Sequence, residues 1–471
     1  MPEMQQKVQP TQVPTEQATS LQTPTAGSVS PDAATRLDFN LILGRPTNHS
    51  FTASVLSAKD RQIVLAYGTE PGNPSHQSGA VSLRPNTPQN LEISGLNPDT
   101  TYYYSILTDG ETSVEHSFHT QRASGSSFTF TIDADPHNRD PNFNGELYAI
   151  TLANALADHP DFHINLGDTF MTEKVKSQTY AEAESTFTDM RPYFGILGID
   201  APLYLVNGNH EGELGWLLAR GTENDLPVWS TQLRQLYYPN PTPNDFYSGS
   251  STPDSTLGSV RDGYYAWTWG DAQFIVLDPF WYTINKPKPD DLNNNWGWTL
   301  GKDQYDWLKT TLEKNSSKFK FVFIHNLVGG NDKDARGGIE AAPYFEWGGN
   351  NADGTYGFDQ MRPGWGKPIH QLLVENHVSA VFHGHDHVFV KQDLDGIVYQ
   401  EVPQPSTTHY NNTSLAADYG YTHGDVLGSS GHLRVTVTSS QVTVEYVRAY
   451  LPQDEKSGQQ NRQVDYSYII R

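Results

Sequence analysis

The sequence predicts an α/β protein preceded by an antiparallel β-sandwich, and two periodicities predict it. From Leu37 to about Arg122, apolar and polar residues alternate in short runs cut by turn residues. That period buries one face of a strand and wets the other. From residue 125 onward, short apolar runs alternate with stretches of helical spacing, the βαβ rhythm of a parallel or mixed sheet with helices outside it. A hydrophobic fraction of 36% over 471 residues supplies apolar surface for more than one core.

Taken in order, residues 1–35 are biased toward Thr, Pro, Gln and Ser. They carry too little apolar surface to offset the entropy of ordering, so a disordered linker is expected. Residues 36–124 are expected to form the sandwich, with strand patterns at 50–56, 62–68, 81–83, 96–107 and 117–120. Residues 125–471 form the second domain. Its buried strands are expected at 128–133, 162–166, 203–206, 274–277, 319–324 and 380–382, and its helices at 147–156, 304–312 and 369–375. Residues 431–446 alternate again as β structure. The stretch from Gly212 to about Asp262 is far longer than an ordinary connection, and 292–298 and 329–354 are polar and rich in Gly, Asn and Trp. These three are expected to be loops that set specificity.

The chain contains no cysteine, which excludes disulfides and thiolate metal sites. Any metal must be held by oxygen and imidazole nitrogen, and 17 histidines are available. A formal net charge of −23 repels polyanions, so binding to a nucleic-acid polymer is not expected. A small phosphate ester remains compatible, because bound cations reverse the field locally. No apolar run reaches the length of a membrane span, and the first residues lack the basic and apolar regions of a secretory signal. The stalk-like composition of residues 1–35 points to export, into an extracellular or periplasmic setting. The sequence sets no oligomeric state.

Five short motifs follow apolar runs: Asp135-Pro136-His137, Gly167-Asp168, Gly208-Asn209-His210-Glu211, His325, and Gly384-His385-Asp386-His387. Each alone is commonly a turn or a satisfied polar residue. Together, at the carboxyl ends of strands, they can converge on one rim of a sheet. Asp133 rivals Asp135 as a ligand, but the spacing of Asp135 to His137 lets both side chains point to one side.

In this order the motifs resemble the calcineurin-like metallophosphoesterase signature. With a sandwich ahead of them they are similar to purple acid phosphatases, and residues 95–104 resemble a fibronectin type III turn and strand. The resemblance implies a four-layer α/β/β/α domain and two divalent metal ions (Mn²⁺, Fe²⁺, Zn²⁺ or Co²⁺). Asp168 would bridge them. Asp135, His137 and His387 would hold one ion, and Asn209, His325 and His385 the other. A hydroxide shared by the ions would attack phosphorus while His210 assists the leaving group, with Glu211 or another carboxylate orienting its ring. His383 and Arg336 are further candidates for substrate contact, beside Asn209 and His210. The aromatic run Phe280-Trp281-Tyr282 is a candidate for stacking on an aromatic leaving group.

The chain also departs from the purple enzymes. Met171 stands where they carry a tyrosine ligand, and His137 stands where they lack a histidine. Two divalent ions and a neutral-to-alkaline optimum are therefore expected. The substrate would be a small phosphate ester, a monoester first and a small or nucleotide-like diester as the alternative. An inert exported binding module is the third reading, opposed by the full set of ligand-competent residues.

Overall fold

A computed structural model describes residues 39–218, 225–288 and 292–471; the expected linker at 1–35 lies outside the described residues. The first strands, Phe39–Gly44, Ser50–Ser57 and Gln89–Ser94, form a three-stranded antiparallel sheet. A second antiparallel sheet faces it, centred on Arg61–Gly68 and Thr101–Thr108. Along Thr101–Thr108 buried and half-buried residues alternate strictly. Tyr102, Tyr104 and Ile106 thus enter one core with Phe51, Leu65 and Phe118.

After Phe128 the chain builds two larger sheets packed face to face. In the first, Leu203–Leu205, Phe162–Asn165 and Phe128–Asp133 run parallel, and Gly431–Val437, Val442–Arg448 and Val464–Ile470 continue it antiparallel. In the second, Ala272–Val276, Phe319–Phe323, Ala380–His383 and Ile397–Glu401 are parallel, with antiparallel neighbours outside them. Phe130, Phe162, Phe274, Phe321 and Val435 fill the layer between the sheets. The Phe130 and Phe274 rings meet edge to face at 5.1 Å, the arrangement their quadrupoles favour.

Helices cover both outer faces. Gly145–Leu156 and Tyr180–Gly198 pack Leu152, Phe187 and Phe194 on the first sheet through Leu203 and Leu205. Lys302–Lys314 and Ile369–Glu375 pack Leu308, Leu312 and Leu372 on Ile275, Val322 and Val381 of the second. The result is the four-layer α/β/β/α arrangement behind a β-sandwich.

Several elements differ from the expected ones. The helix Leu226–Tyr237 lies inside the stretch expected to be a loop from Gly212 to Asp262. Its Pro227 sits in the first turn, where no donor is needed, and Leu226, Leu233 and Tyr237 bury one face. Tyr180–Gly198 is not among the expected elements either. Pro192, Gly195 and Gly198 argue locally against a helix, yet Ala183, Phe187, Met190, Phe194 and Leu197 are buried at helical spacing and decide the outcome. The hairpin Phe389–Leu394 and Ile397–Glu401 and the final strand Val464–Ile470 are likewise additional.

The helix Tyr180–Gly198 also fastens the sandwich. A Cβ on Gly195 would lie 1.9 Å from Asn40 Nδ2, so only glycine allows this approach. The buried Arg191 guanidinium donates to the carbonyls of Ser54 (2.9 Å) and Tyr237, while Asn40 Nδ2 donates to the Arg191 carbonyl (2.8 Å).

Candidate metal centre

Each expected ligand sits where a strand of one of the two central sheets gives way to a loop. Asp135 N donates to Gly167 O and His137 N to Asp168 O, both at 2.9 Å, so the first two loops are zipped together by their backbones. Gly167 has φ +95°, and a Cβ there would lie 2.5 Å from Gly208 N. Glycine is required for the second and third loops to pass this closely. Asp135, His137, Asp168, His385 and His387 all have positive φ, between 53° and 82°. Left-handed backbone is uncommon for residues with a Cβ and concentrates at functional sites.

The side chains converge on Asp168. Its Oδ2 lies 3.2 Å from His325 Nε2, 3.4 Å from His137 Nε2 and 3.8 Å from His210 Nε2. Asp135 Oδ1 lies 3.6 Å from both His137 Nε2 and His387 Nε2, and Asn209 Oδ1 is 3.1 Å from His325 Nε2. Donor atoms gather in three groups, each within 4.8 Å: Asp135, His137 and His387; His137, Asp168 and His210; Asp168, His325 and His385.

Outer contacts fix the rings. His325 Nδ1 donates to Leu166 O at 2.8 Å, leaving Nε2 for the centre, and His385 Nε2 donates to Asp334 O at 2.8 Å, leaving Nδ1. Asp135 Oδ1 and His137 Nε2 are buried without a hydrogen-bond partner. Buried atoms of this kind are rarely left unpaired, and an oxygen and imidazole donor set suits a divalent cation. The residues present fit a metal centre.

The local field divides the histidines into two classes. Burial disfavours a proton on His137, yet Asp135 and Asp168 beside it raise its pKa to about 10. Burial is likewise overcome at His325, which Asp168 and Asp135 raise to about 9. His387 is pushed down to about 3 by burial and by His137, and His385 well below its usual value by burial and Arg336. Burial would raise the Asp168 carboxyl, but His210, His325 and His137 hold it well below the usual range.

Some expected contacts go elsewhere. The Glu211 carboxylate is not the partner of the His210 ring. It is buried and accepts the backbone N–H groups of Asp168 (2.9 Å), Thr169 (2.6 Å) and Phe170 (3.2 Å), tying the third loop to the second. The carboxylate on His210 Nδ1 is Glu173, in the short turn Thr172–Lys174. Nothing in the sequence marks it, because the contact depends on how that turn folds back. Asp133 faces away from the centre and accepts from His163 Nε2 (3.0 Å) and Asn165 Nδ2 (2.7 Å). His383 is closed off from solvent, with Nδ1 2.7 Å from Glu401 Oε2, and so does not present itself to a substrate. Arg336 is not an open clamp: it donates to His385 O (2.8 Å) and Asp386 Oδ1 (3.1 Å) and stacks over Tyr419. Trp281 packs under Arg261 and donates to Asp254, and Phe280 is buried 6.0 Å from the His325 ring.

Three residues beyond His210, Glu213 anchors the next loop in a buried network. Arg234 Nε (2.5 Å) and Arg261 Nη2 (2.9 Å) donate to it, and Arg261 also reaches Asp278. Glu213→Gln leaves two buried guanidinium groups short of a countercharge. It is expected to lower stability by about 3 kcal/mol in urea titration; no shift of the midpoint would refute this account of the loop.

A model of the calcineurin-like phosphoesterase family matches residues 128–389, more than half of the chain. The chain belongs to the calcineurin-like phosphoesterase family. This phosphoesterase is a metal-dependent hydrolase of phosphoesters, with its ligand-competent residues on the strand-end loops described above. The solved structures that share its fold include the following two. One is PhoD, with a TM-score of 0.66 at 14% identity, over 91% of this chain and 89% of that one. The other is the purple acid phosphatase PPD1 from yellow lupin (Lupinus luteus) seeds, with a TM-score of 0.57 at 14% identity, over 91% and 73%. No curated protein sequence matches the phosphoesterase.

Proposed function

We propose that the protein is a two-metal phosphomonoesterase. The observation that carries the reading is Asp168, whose Oδ2 lies within 3.8 Å of the Nε2 atoms of His137, His325 and His210. In this reading Asp135, His137 and His387 hold one divalent ion, Asn209, His325 and His385 the other, and Asp168 is shared. Mn²⁺, Fe²⁺, Zn²⁺ or Co²⁺ suits such donors. When bound, the pair supplies a nucleophile at neutral pH and neutralises the phosphoryl oxygens.

His210 Nε2 faces the centre and gives its proton to the leaving oxygen, while Glu173 on Nδ1 holds the ring in register. The His210 backbone N–H donates to Asp168 Oδ1 at 2.8 Å, which fixes the distance between the acid and the shared carboxylate. Glu173→Gln is therefore expected to lower kcat about 10- to 100-fold with metal content unchanged, read by steady-state kinetics beside metal analysis. An unchanged kcat would remove Glu173 from the mechanism.

Met171, buried in the loop after Asp168, offers no phenolate oxygen to favour a trivalent ion. This supports two divalent ions and a neutral-to-alkaline optimum. The test is an assay of chelated and reconstituted protein with p-nitrophenyl phosphate and bis-p-nitrophenyl phosphate. Metal-dependent turnover with the monoester preferred supports the proposal, preference for the diester replaces it with a phosphodiesterase, and turnover of neither overturns it. The Thr/Pro/Gln/Ser composition of residues 1–35 supports export, checked by fractionating the source cells.

A further inference from the structure

Three loops meet on the rim beside the His325 and His385 side of the centre. The turn Gly215–Leu217 is docked on the segment after Ala272–Val276 by Gly215 N donating to Phe280 O at 3.1 Å. It carries Trp216, whose ring packs edge to face on buried Trp298 at 5.6 Å. The Lys286 ammonium lies 5.4 Å above the Trp216 ring and 3.7 Å from the Asp334 carboxylate. Lys333 approaches the other oxygen of the same carboxylate at 4.0 Å. The backbone carbonyl of Asp334 is the acceptor for His385 Nε2, so one residue separates this charge cluster from a metal-site histidine.

Among the described residues, the other carboxylates around this point are taken up by partners of their own. Asp332 is turned onto the backbone N–H groups of Asp334 (2.9 Å) and Arg336 (3.1 Å). Asp386 is buried and neutralised by Arg336. Among the described residues, the Asp334 carboxylate lies between the Lys286 and Lys333 ammonium groups, whose side chains are 43% and 48% exposed. On a chain of net charge −23, two exposed ammonium groups around one carboxylate beside a phosphoester site attract a second negative group at the point where they are positioned.

We propose that Lys286, Lys333 and Trp216 form a specificity subsite for an anionic group on the organic part of the substrate. The preferred substrates are then phosphoesters bearing a further carboxylate or phosphate on a body that stacks against Trp216. This rests on the phosphoesterase reading above. The subsite lies away from the reacting phosphorus, so it acts on ground state and transition state alike and appears in KM with kcat retained.

The test compares 4-carboxyphenyl phosphate with phenyl phosphate on the metal-loaded protein. The wild type is expected to favour the carboxylated ester in kcat/KM, and salt to erode that preference. The double variant Lys286→Met, Lys333→Met lowers the ratio of the two kcat/KM values about fivefold, through KM. Lys286→Glu lowers it further. Lys318→Met, at the opposite end of the strand Phe319–Phe323, leaves it unchanged. A ratio unmoved in the double variant and in Lys286→Glu overturns the subsite while the phosphoesterase reading stands. Hydrolysis of neither ester by the wild type overturns both.

Discussion

Asp168→Asn is expected to lower phosphoester hydrolysis about a thousandfold and to leave less than the full metal complement bound. The substitution is nearly isosteric and separates two roles of one side chain. Asp168 Oδ1 accepts the His210 N–H at 2.8 Å, a bond that an asparagine oxygen preserves, so the loop keeps its course. Oδ2, the atom nearest three imidazoles, becomes an amide nitrogen with no lone pair for a cation. Far-ultraviolet circular dichroism and urea titration should therefore show a folded protein, and metal analysis after gel filtration a depleted one. Retention of both ions with activity above a tenth of wild type would show that Asp168 is not shared between them.

The second large effect is on metal uptake as a function of pH. In the metal-free protein His137 and His325 hold protons up to about pH 10 and pH 9 respectively, whereas His385 and His387 are already neutral at pH 7. Loading the centre between pH 7 and 9 must then displace roughly two protons per chain. Apparent affinity should rise about a hundredfold per pH unit up to about pH 9, about tenfold per unit from there to pH 10, and level off above that. Calorimetric titration in buffers of different ionisation enthalpy counts the protons directly, and a count of zero would contradict the field described here. The same raised values have a stability consequence of defined sign. The charged His137 and His325 pairs stabilise the metal-free fold fully below pH 6.5, their ordinary value, and that contribution is lost as pH rises through 9 to 10.

What the sequence made readable follows from where information is local. Asp135, Asp168, Asn209, His325 and His385 each follow an apolar run closely, and a buried strand is a strong local signal, so their arrival at one sheet edge could be anticipated. Asp135 could be preferred to Asp133 from its spacing to His137; in the structure Asp133 is still within its strand while Asp135 has left it with left-handed backbone. Glu173 was not readable, since its contact with His210 spans 37 residues and is made by a turn with no periodicity. The positions of Arg336 and His383 depend on Asp386 and Glu401, partners that no spacing rule brings to them. Tyr180–Gly198 was not readable, because Pro192, Gly195 and Gly198 speak locally against a helix and only burial of Ala183, Phe187, Met190, Phe194 and Leu197 in the packed fold outweighs them.

The Arg191 contact sets how the protein can be divided. Its guanidinium is buried with carbonyl oxygens for company, two of its bonds reaching the strand Ser50–Ser57. A cation in such surroundings is tolerated only while every acceptor stays in position. Cutting the chain near residue 125 would remove Asn40 and Ser54 together and strand a charge on the outer surface of a helix shaped to be covered. The two halves are thus obligate companions, to be inherited and engineered as one body, and a library that shuffles sandwiches between such enzymes must carry the helix Tyr180–Gly198 along with its own partner.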